Sequence, residues 1–512
     1  MRNYIESLRT SVLLTMFVAA LAFACSDDEN PAIPPVGEEP MPGMAPDVDF
    51  MALTDDNRIM MFNARDLDSP MEIKSIAGLE SNEMIVSIDY RPATGQLYAL
   101  GSTSRLYFIN EYTGEATALG DGPFSPAIDG ENASLDFNPT VDRIRLVTAS
   151  GQNLRLHPEL GTVVAEDGMI SGGDNPQIGA VAYTNSVAGA NSTALYDIDF
   201  SSNKLFIQDP PNDGGLREVG DLGVDFMGLG NFDINPDNSA ALAVTLKEGE
   251  SKLYTINLES GAAEWVGTFG NRVWGIAFKT NPVAFAVTAD NKLERFNPLN
   301  PSSNAVDLMG LNEGEIIVGL DFRPANGALY AISNQSRLLT VNTSNGSLSP
   351  VGDPLSPSLD GESFGFDFNP TVDRIRLVSN TGQNLRLHPD LGTVVAVDGD
   401  LNPVNPFVNG AAYTNNIATA TSTVLYVLDS ETGLLYRQDP PNDGGLVEIG
   451  SLGIEFTAEN GFDIGGMSDM AFALLTVDGM TSVYSINIST GEASKVSDFN
   501  VTATAMAVGL GF

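Results

Sequence analysis

Short apolar runs alternate with turn residues along almost the whole chain after residue 47. A recurring unit begins with a small residue two positions before Asp or Ala, as in Gly319-Leu-Asp-Phe322, and continues with a run such as Leu329-Tyr-Ala-Ile332. A third run such as Leu253-Tyr-Thr-Ile256 and a shorter one such as Glu264-Trp-Val-Gly267 complete the unit. Apolar, β-branched and aromatic runs between turn signals are typical of strands. The pattern predicts an all-β protein with four strands in each unit.

The third and fourth runs of several units are joined by the same turn chemistry. Glycine supplies the positive φ that a tight hairpin needs, and asparagine caps the turn. Such Asn-to-Gly turns occur at residues 110–114, 257–261, 342–346 and 487–491. These positions predict hairpins between consecutive antiparallel strands.

The chain also contains a long internal duplication. Three segments recur 230 or 231 residues later: Asp136–Val147 as Asp367–Val378, Gly151–Pro158 as Gly382–Pro389, and Gln208–Leu216 as Gln438–Leu446. Repetition at a fixed period is the signature of repeat architectures. We therefore expect one module at residues 48–280 and a second at residues 281–512.

Five units in each module give about 46 residues per unit, which is the size of a propeller blade. Each module starts with a second strand and ends with a first one, so that its last run completes its first blade and removes free sheet edges. Trp274–Phe278 is expected to close the first module, and Val508–Phe512 the second. The prediction is a β-propeller protein with ten four-stranded blades arranged as two tandem five-bladed propellers.

One ten-bladed ring is the alternative arrangement. Phe278 and Phe285 are spaced like neighbouring strands of one blade, as a single large ring would have them. Glycine at the crowded position of all five units of the second module, with Gly509 as the fifth, favours two narrow rings instead.

Several of these strings resemble a known bacterial family, domain of unknown function 4394. The strings are Leu320–Pro324, Asp367–Arg376, Gly382–Arg386 and Gln438–Gly444, and the resemblance extends over residues 48–512. It implies a secreted propeller and gives no activity or ligand.

The first residues read as an export signal. Arg2 and Arg9 precede an apolar run at residues 12–24, and Cys25, the only cysteine, follows it. This resembles a lipoprotein signal, so we expect a signal peptide at 1–24, a lipid on Cys25 and a Pro-rich stalk at 25–47. An ordinary signal peptide with an incidental cysteine is the alternative. The expected location is the bacterial outer membrane, with a secreted or periplasmic protein as the alternative.

Net charge narrows the range of partners. The formal charge is −41, from 66 acidic and 25 basic residues. A field of that sign repels phosphate backbones, which argues against a nucleic-acid partner. The expected partners are the membrane, through the lipid on Cys25, and a glycan or a protein.

The third blade of each module holds the candidate ligand-binding residues. Three arginines lie close together there, because two share one strand face and a hairpin brings the third beside them. One interpretation is an anion or sugar-acid site; the other is an ion-pair network in which Asp136, Asp142 and their copies neutralise the arginines. The candidates are Arg143, Arg145, Gln152, Asn153, Arg155, His157, Arg374, Arg376, Gln383, Asn384, Arg386 and His388.

The inner-strand aspartates raise the question of a metal. Oxygen ligands around the axis would suit Ca²⁺, whereas backbone hydrogen bonding is the commoner role of such residues. No cofactor is otherwise expected. The aspartates are Asp89, Asp136, Asp233, Asp321, Asp367 and Asp463.

Catalytic patterns are weak. The two histidines, His157 and His388, are one equivalent position, and no serine has nucleophile-elbow context. The function we expect is a non-catalytic cell-envelope binding or scaffold lipoprotein. A propeller hydrolase or lyase acting on an acidic saccharide or lactone is the alternative.

Overall fold

The structure is a computed structural model that describes residues 43–130, 132–227, 230–403 and 406–512. The predicted signal peptide, the lipidation residue Cys25 and most of the predicted stalk lie outside the described residues. Within these ranges no helix has the length and apolarity that crossing a bilayer requires. The one helical element described is a 3₁₀ turn at Pro441–Asp443.

The described residues form forty strands in ten four-stranded antiparallel sheets. The first copy contains β1 (Asp49–Thr54), β2 (Arg58–Asn63), β3 (Glu72–Ser75), β4 (Ile85–Tyr90), β5 (Leu97–Gly101), β6 (Arg105–Ile109), β7 (Ala116–Ala118), β8 (Ala133–Asn138), β9 (Arg143–Thr148), β10 (Asn153–Leu156), β11 (Val163–Glu166), β12 (Ile178–Tyr183), β13 (Leu195–Asp199), β14 (Lys204–Gln208), β15 (Leu216–Asp221), β16 (Gly230–Ile234), β17 (Ala241–Lys247), β18 (Glu250–Ile256), β19 (Ala263–Thr268) and β20 (Val273–Ala277).

The second copy repeats this order. It contains β21 (Ala284–Thr288), β22 (Lys292–Phe296), β23 (Asn304–Asp307), β24 (Ile317–Phe322), β25 (Leu329–Ser333), β26 (Leu338–Val341), β27 (Leu348–Pro350), β28 (Phe364–Asn369), β29 (Arg374–Ser379), β30 (Asn384–His388), β31 (Thr393–Val397), β32 (Val408–Tyr413), β33 (Leu425–Asp429), β34 (Leu434–Gln438), β35 (Leu446–Ser451), β36 (Asn460–Ile464), β37 (Ala471–Val477), β38 (Met480–Ile486), β39 (Ala493–Asp498) and β40 (Ala503–Val508).

Each copy closes its own ring. Strand β20 pairs with β1, and β40 pairs with β21, so the last strand of each copy becomes the innermost strand of that copy's first blade. The inner strands then contact one another in two closed cycles, β20-β4-β8-β12-β16 and β40-β24-β28-β32-β36. The prediction of two tandem five-bladed propellers is confirmed, and the single ten-bladed ring is not what the chain forms.

The closing strand of the second copy differs from the expected one. It is Ala503–Val508, not Val508–Phe512, and the residue at the crowded position is Ala505 rather than Gly509. The expected segment instead follows the strand and joins the two copies: the Gly509 amide donates to the Val283 carbonyl, and the Gly511 amide to Thr94 of the first ring. In other blades this glycine pattern marks an inner strand. At Gly509 and Gly511 the glycines instead allow two stretches of backbone to approach closely.

Inner-strand aspartates fasten neighbouring blades. Asp89 accepts the amides of Tyr90 and of Phe137 in the next blade, both at 2.7 Å. Asp321 does the same with the amides of Phe322 and Phe368 at 2.7 Å. A carboxylate that accepts amide bonds supplies the hydrogen bonds that the inner strand of the next blade lacks on that side.

The two rings differ in the space available beside the axis at one equivalent position. In the first ring, Ser134 fits beside the axis and its Oγ accepts the Val181 amide at 3.1 Å. The matching position in the second ring is Gly365, where an added Cβ would lie 2.6 Å from Ala411 Cβ and 2.7 Å from its amide nitrogen. Only a hydrogen fits there.

The two rings pack directly against each other. Arg91 of the first ring is fully buried and donates from Nη1 to the Gly327 carbonyl of the second at 2.9 Å. Thr343 of the second ring donates to Asp142 Oδ2 of the first at 2.7 Å. Apolar contact accompanies these bonds, because Phe285 shares a core cluster with Ala93. The seam between the rings is therefore a packed interface with its own hydrogen bonds.

We predict that Gly365→Ala lowers the free energy of unfolding by about 1–3 kcal/mol, because the added methyl overpacks the axis of the second ring. Chemical denaturation measures the loss. Gly122→Ala is the matched control, since the nearest atom to its added Cβ is Arg105 Nη2 at 4.0 Å. Equal stability of Gly365→Ala and the unmodified protein would contradict the tight packing described.

Candidate functional site

The predicted arginine cluster is present in both rings. Arg145 on β9 lies opposite Arg155 on β10, and Arg376 lies opposite Arg386 in the second ring. Arg145 and Arg376 are each only 2% exposed, whereas the side chains of Arg155 and Arg386 are 34% and 36% exposed. Each pair combines one buried and one partly exposed guanidinium.

The carboxylate between the paired arginines is not the expected one. Asp167 Oδ2 accepts Arg145 Nη1 at 2.6 Å and Arg155 Nε at 2.7 Å. Asp398 occupies the same place in the second ring, 2.7 Å from both Arg376 and Arg386. Asp136 and Asp142, which we expected to neutralise the cluster, are engaged elsewhere.

The two expected partners serve other contacts. Asp136 accepts the Tyr183 amide at 3.0 Å. Asp142 pairs with Arg91 at the interface between the rings. The reason is the strand register, because Asp136 points to the axis and Asp142 lies in the turn that faces the second ring.

The remaining donors of Arg145 are also occupied. Its Nη1 donates to Asn153 Oδ1 and its Nη2 to Asn212 Oδ1, both at 2.7 Å. Asn212 belongs to the turn that follows β14 in the next blade, so the guanidinium braces two blades. Arg376 repeats this with Asn384 and Asn442.

The other predicted residues make local contacts. Arg143 and Arg374 each donate to the preceding carbonyl, at 2.7 Å. Gln152 and Gln383 each donate to a loop carbonyl at 2.9 Å. His157 and His388 each accept the amide two residues on, at 3.3 Å. Burial, followed by the charges of Arg143 and Arg91, lowers the pKa of His157 to about 4, so this histidine is neutral at pH 7.

We predict that Asp167→Asn destabilises the protein by about 3–5 kcal/mol, because it leaves the buried Arg145 without a carboxylate. Urea denaturation measures the change. Glu166→Gln, at an exposed neighbouring position on β11, is the control and should stay within about 0.5 kcal/mol of the unmodified protein. A similarly small effect of Asp167→Asn would show that the cluster does not brace the blades.

Three buried carboxyls crowd the axis of each ring. Oxygens of Asp89, Asp136 and Asp233 lie within 4.8 Å of one another, and so do those of Asp321, Asp367 and Asp463. Burial raises the pKa of all six, and that of Asp233 and Asp463 to about 7. Carboxylate oxygens are ligands that Ca²⁺ accepts, but most of these oxygens already accept backbone amides. Calcium at the axis stays a prediction.

We predict that the protein is more stable at pH 5 than at pH 8 when metals are removed with a chelator. A carboxyl whose pKa is about 7 in the folded state and 3.8 in the unfolded state binds protons more tightly when folded. Its contribution to stability is therefore lost as pH rises from about 4 through 7, by on the order of a few kcal/mol. Melting temperatures across this range measure the loss.

The control is the Asp233→Asn, Asp463→Asn double variant, which removes the two carboxyls that have this pKa. Its melting temperature should vary less with pH between 5 and 8. A melting temperature of the unmodified protein that rises over this range would contradict the assignment.

A polar cavity of about 580 Å³ opens between the two rings. Pro92 and three stretches of chain line it: the loop 185–192 between β12 and β13, the connecting segment 280–283, and residues 295–304 of the second ring. A volume of this size is typical of small-molecule sites, which favour the boundary between domains. This cavity between the rings is named here the inter-ring cleft.

Arg295 forms the floor of the inter-ring cleft. It lies on β22 and is 5% exposed. Its Nη1 donates to the carbonyls of Thr343 and Ser344 at 3.3 and 3.2 Å, and its Nε to the Asn304 carbonyl at 3.5 Å. These are long bonds to neutral acceptors. Burial lowers the pKa of Arg295, an effect that the nearby Glu294 opposes.

Gly189 of the first ring lies against this guanidinium. A Cβ at Gly189 would clash with the Arg295 guanidinium, and the backbone there has a φ of +68°. Asn304 Nδ2 donates to the Gly189 carbonyl at 2.9 Å. The glycine thus lets a loop of the first ring lie directly on the arginine of the second.

Polar side chains surround the arginine. Thr280 is 8% exposed, and its Oγ1 has no hydrogen-bond partner among the described residues. The asparagines that line the cleft are Asn185, Asn191, Asn281, Asn297, Asn300 and Asn304. None of the lining residues is acidic.

This cleft could not be predicted from the sequence, because its residues come from distant segments and form no motif. One signal was available in the duplication. Residues 57–62 of the first copy align with 291–296 of the second, so that Met61 corresponds to Arg295. A charged residue at a position where the other copy is apolar is a departure that packing alone does not explain.

The family model described as Domain of unknown function (DUF4394) matches residues 58–277 and 292–509. The chain belongs to this family. The two matches coincide with the two rings, so each copy of the DUF4394 domain is one five-bladed propeller. Among curated proteins none matches the sequence significantly.

Distant similarity to solved structures extends over much of the chain. A "putative 6-phosphogluconolactonase" from Bacteroides fragilis is 11% identical, with a TM-score of 0.27, over 64% of this chain and 96% of its own. Hydrazine synthase from Kuenenia stuttgartiensis is 12% identical, with a TM-score of 0.26, over 80% and 98%. Both scores are low, so the fold assignment for this DUF4394 protein rests on its own strand pairing.

Proposed function

We propose that this DUF4394 protein is a non-catalytic binding module of the bacterial cell envelope and that the inter-ring cleft holds its ligand. The observation that carries the proposal is the composition of the cleft. Its lining offers asparagine amides, hydroxyls and one guanidinium around a 580 Å³ space, with no Asp, Glu, His or Cys among the lining residues. Such a site has groups that recognise a ligand and lacks groups that transfer its protons.

The cleft lining has no acid–base groups, which favours a binding module over a hydrolase or lyase. Glycoside hydrolysis canonically needs two carboxyl groups on either side of the scissile bond. General acid–base catalysis needs a titratable group within hydrogen-bond reach of the proton it moves. A hydrolase or lyase would have to place its chemistry elsewhere, and the arginines that were expected to hold its substrate bond to Asp167 and Asp398.

The envelope location rests on the N-terminal sequence. The basic start, the apolar run and Cys25 support export and lipid attachment. The acidic surface supports the same setting, since a net charge of −41 keeps a protein soluble and away from nucleic acids. The Pro-rich stalk expected at residues 25–47 would tether the first ring to the lipid.

A glycan and metabolite screen on the full-length protein tests the proposal. We expect a small polar ligand that binds and is recovered unchanged after prolonged incubation. Asn191→Trp, at the exposed rim of the cleft, should weaken binding at least about tenfold by filling the entrance, whereas Ser81→Trp on a distant exposed turn should not.

Chemical conversion of the bound compound would contradict the non-catalytic assignment. Binding that Asn191→Trp leaves unchanged would contradict the location in the cleft.

A further inference from the structure

All but one of the buried arginines that the structure describes pair with a carboxylate. Five of the arginines that the structure describes are buried: Arg91, Arg145, Arg295, Arg323 and Arg376. Four of them contact a carboxylate at 2.5 to 2.7 Å, from Asp142, Asp167, Asp390 and Asp398 in turn. Across the described residues, no carboxylate lies within 4.0 Å of Arg295. The exception is the arginine on the floor of the inter-ring cleft.

A buried cation without a counter-charge is costly, and proteins rarely keep one without a purpose. Arg295 makes only long bonds, from Nη1 and Nε, to neutral carbonyl oxygens. Within the described residues Nη2 has no acceptor, although an arginine can donate five hydrogen bonds. Arg295 is also one of the residues that line the inter-ring cleft.

The residues that line the cleft around Arg295 carry no negative charge. The chain carries 66 acidic and 25 basic residues, yet the inter-ring cleft has no acidic lining residue. A cleft with one cation and no anion, inside a strongly negative protein, is the place where an anionic group is least repelled. The charge pattern therefore indicates the sign of the ligand.

Thr280 gives an independent indication of a ligand in the same place. Among the described residues its buried hydroxyl has no hydrogen-bond partner, and Thr280 is one of the residues that line the cleft. Asn191, Asn281 and Asn300 also line the cleft, and an amide side chain can both donate and accept hydrogen bonds. Groups of this kind suit a ligand that carries many hydroxyls.

We propose that the inter-ring cleft binds an acidic saccharide, with the sugar carboxylate on Arg295 and its hydroxyls on Thr280 and the asparagine rim. This inference rests on the proposed function and adds the chemical class of the ligand. Guanidinium and carboxylate match in a planar, two-bond geometry, and the bonds are charge-assisted. The stoichiometry is one per chain, because the first ring has Met61 where the second has Arg295.

The test measures binding by calorimetry on the full-length protein. The probes are disaccharides of galacturonate, glucuronate and mannuronate, each compared with its methyl ester, which keeps the sugar and removes the charge. We expect one of the acids to bind with a stoichiometry of one, and its ester to bind at least about tenfold more weakly.

The variant Arg295→Met should weaken acid binding about 10- to 100-fold, the loss expected for a hydrogen bond to a charged group. It places in the second ring the residue that the first has, so it should fold. Without ligand it should melt at or above the temperature of the unmodified protein, because an unpaired buried cation is removed. Arg65→Met is the control, since that side chain is 55% exposed and should leave binding unchanged.

Three results would overturn the inference. Equal affinity for acid and ester would show that the cleft binds a sugar but not through its charge, and the proposed function would stand alone. Acid binding that survives Arg295→Met would place the carboxylate elsewhere. No binding of any acid or ester would reject acidic saccharides as the class, and only a failure of the wider screen would reject the binding module itself.

Discussion

The pairing of each copy's last strand with its own first blade is the constraint on which the rest of the structure depends. Strands β20 and β40 enter blades that began more than 200 residues earlier, and each supplies the innermost of the four strands of its blade. Closure within each copy makes two compact rings out of one duplicated sequence. It also brings the segment between Phe278 and Phe285 to the boundary of the rings, where the inter-ring cleft forms.

Most of the buried charged groups described are either paired with an opposite charge or hydrogen-bonded to backbone amides. The buried arginines of the blades are matched with carboxylates, and each pair ties strands or rings together, as Arg145 does with Asp167 and Arg91 with Asp142. The axial aspartates are also buried, and their charge is limited by a raised pKa and by backbone amides. Among the described buried arginines, Arg295 is the one without a carboxylate partner, and it lies where the two rings leave a cavity.

Much of the fold follows from local sequence patterns. Alternating apolar runs, Asn-to-Gly turns and the exact repeats give the strands, the blades and the closure of the first ring. The end of the second ring was placed wrongly, because Gly509-Leu-Gly-Phe512 imitates the start of an inner strand while Ala503–Val508 lacks an aspartate. The pairing of Ala503–Val508 with β21 and the contact of Gly511 with the first ring distinguish the two segments, and both are tertiary.

The sites were harder to predict for the same reason. The arginines were placed near each other by strand register, but Asp167 reaches them from the end of the following strand, where a register shift at Arg155 and Leu156 realigns the hairpin. The inter-ring cleft needs both rings and the connecting segment at once, so no single stretch of sequence carries it. Its one local trace is the difference between Met61 and Arg295 in otherwise similar strands.

A crystal structure of the protein soaked in bromide is the most direct test of the two closed rings and of an anion site at Arg295. Anomalous scattering locates the anion without assumptions about the ligand. We expect two separately closed five-bladed rings and a bromide peak in the cleft beside Arg295 Nη2. No bromide peak is expected beside Arg145 or Arg376. A carboxylate of the protein against Arg295, or β40 paired outside the blade that holds Phe285, would contradict these expectations.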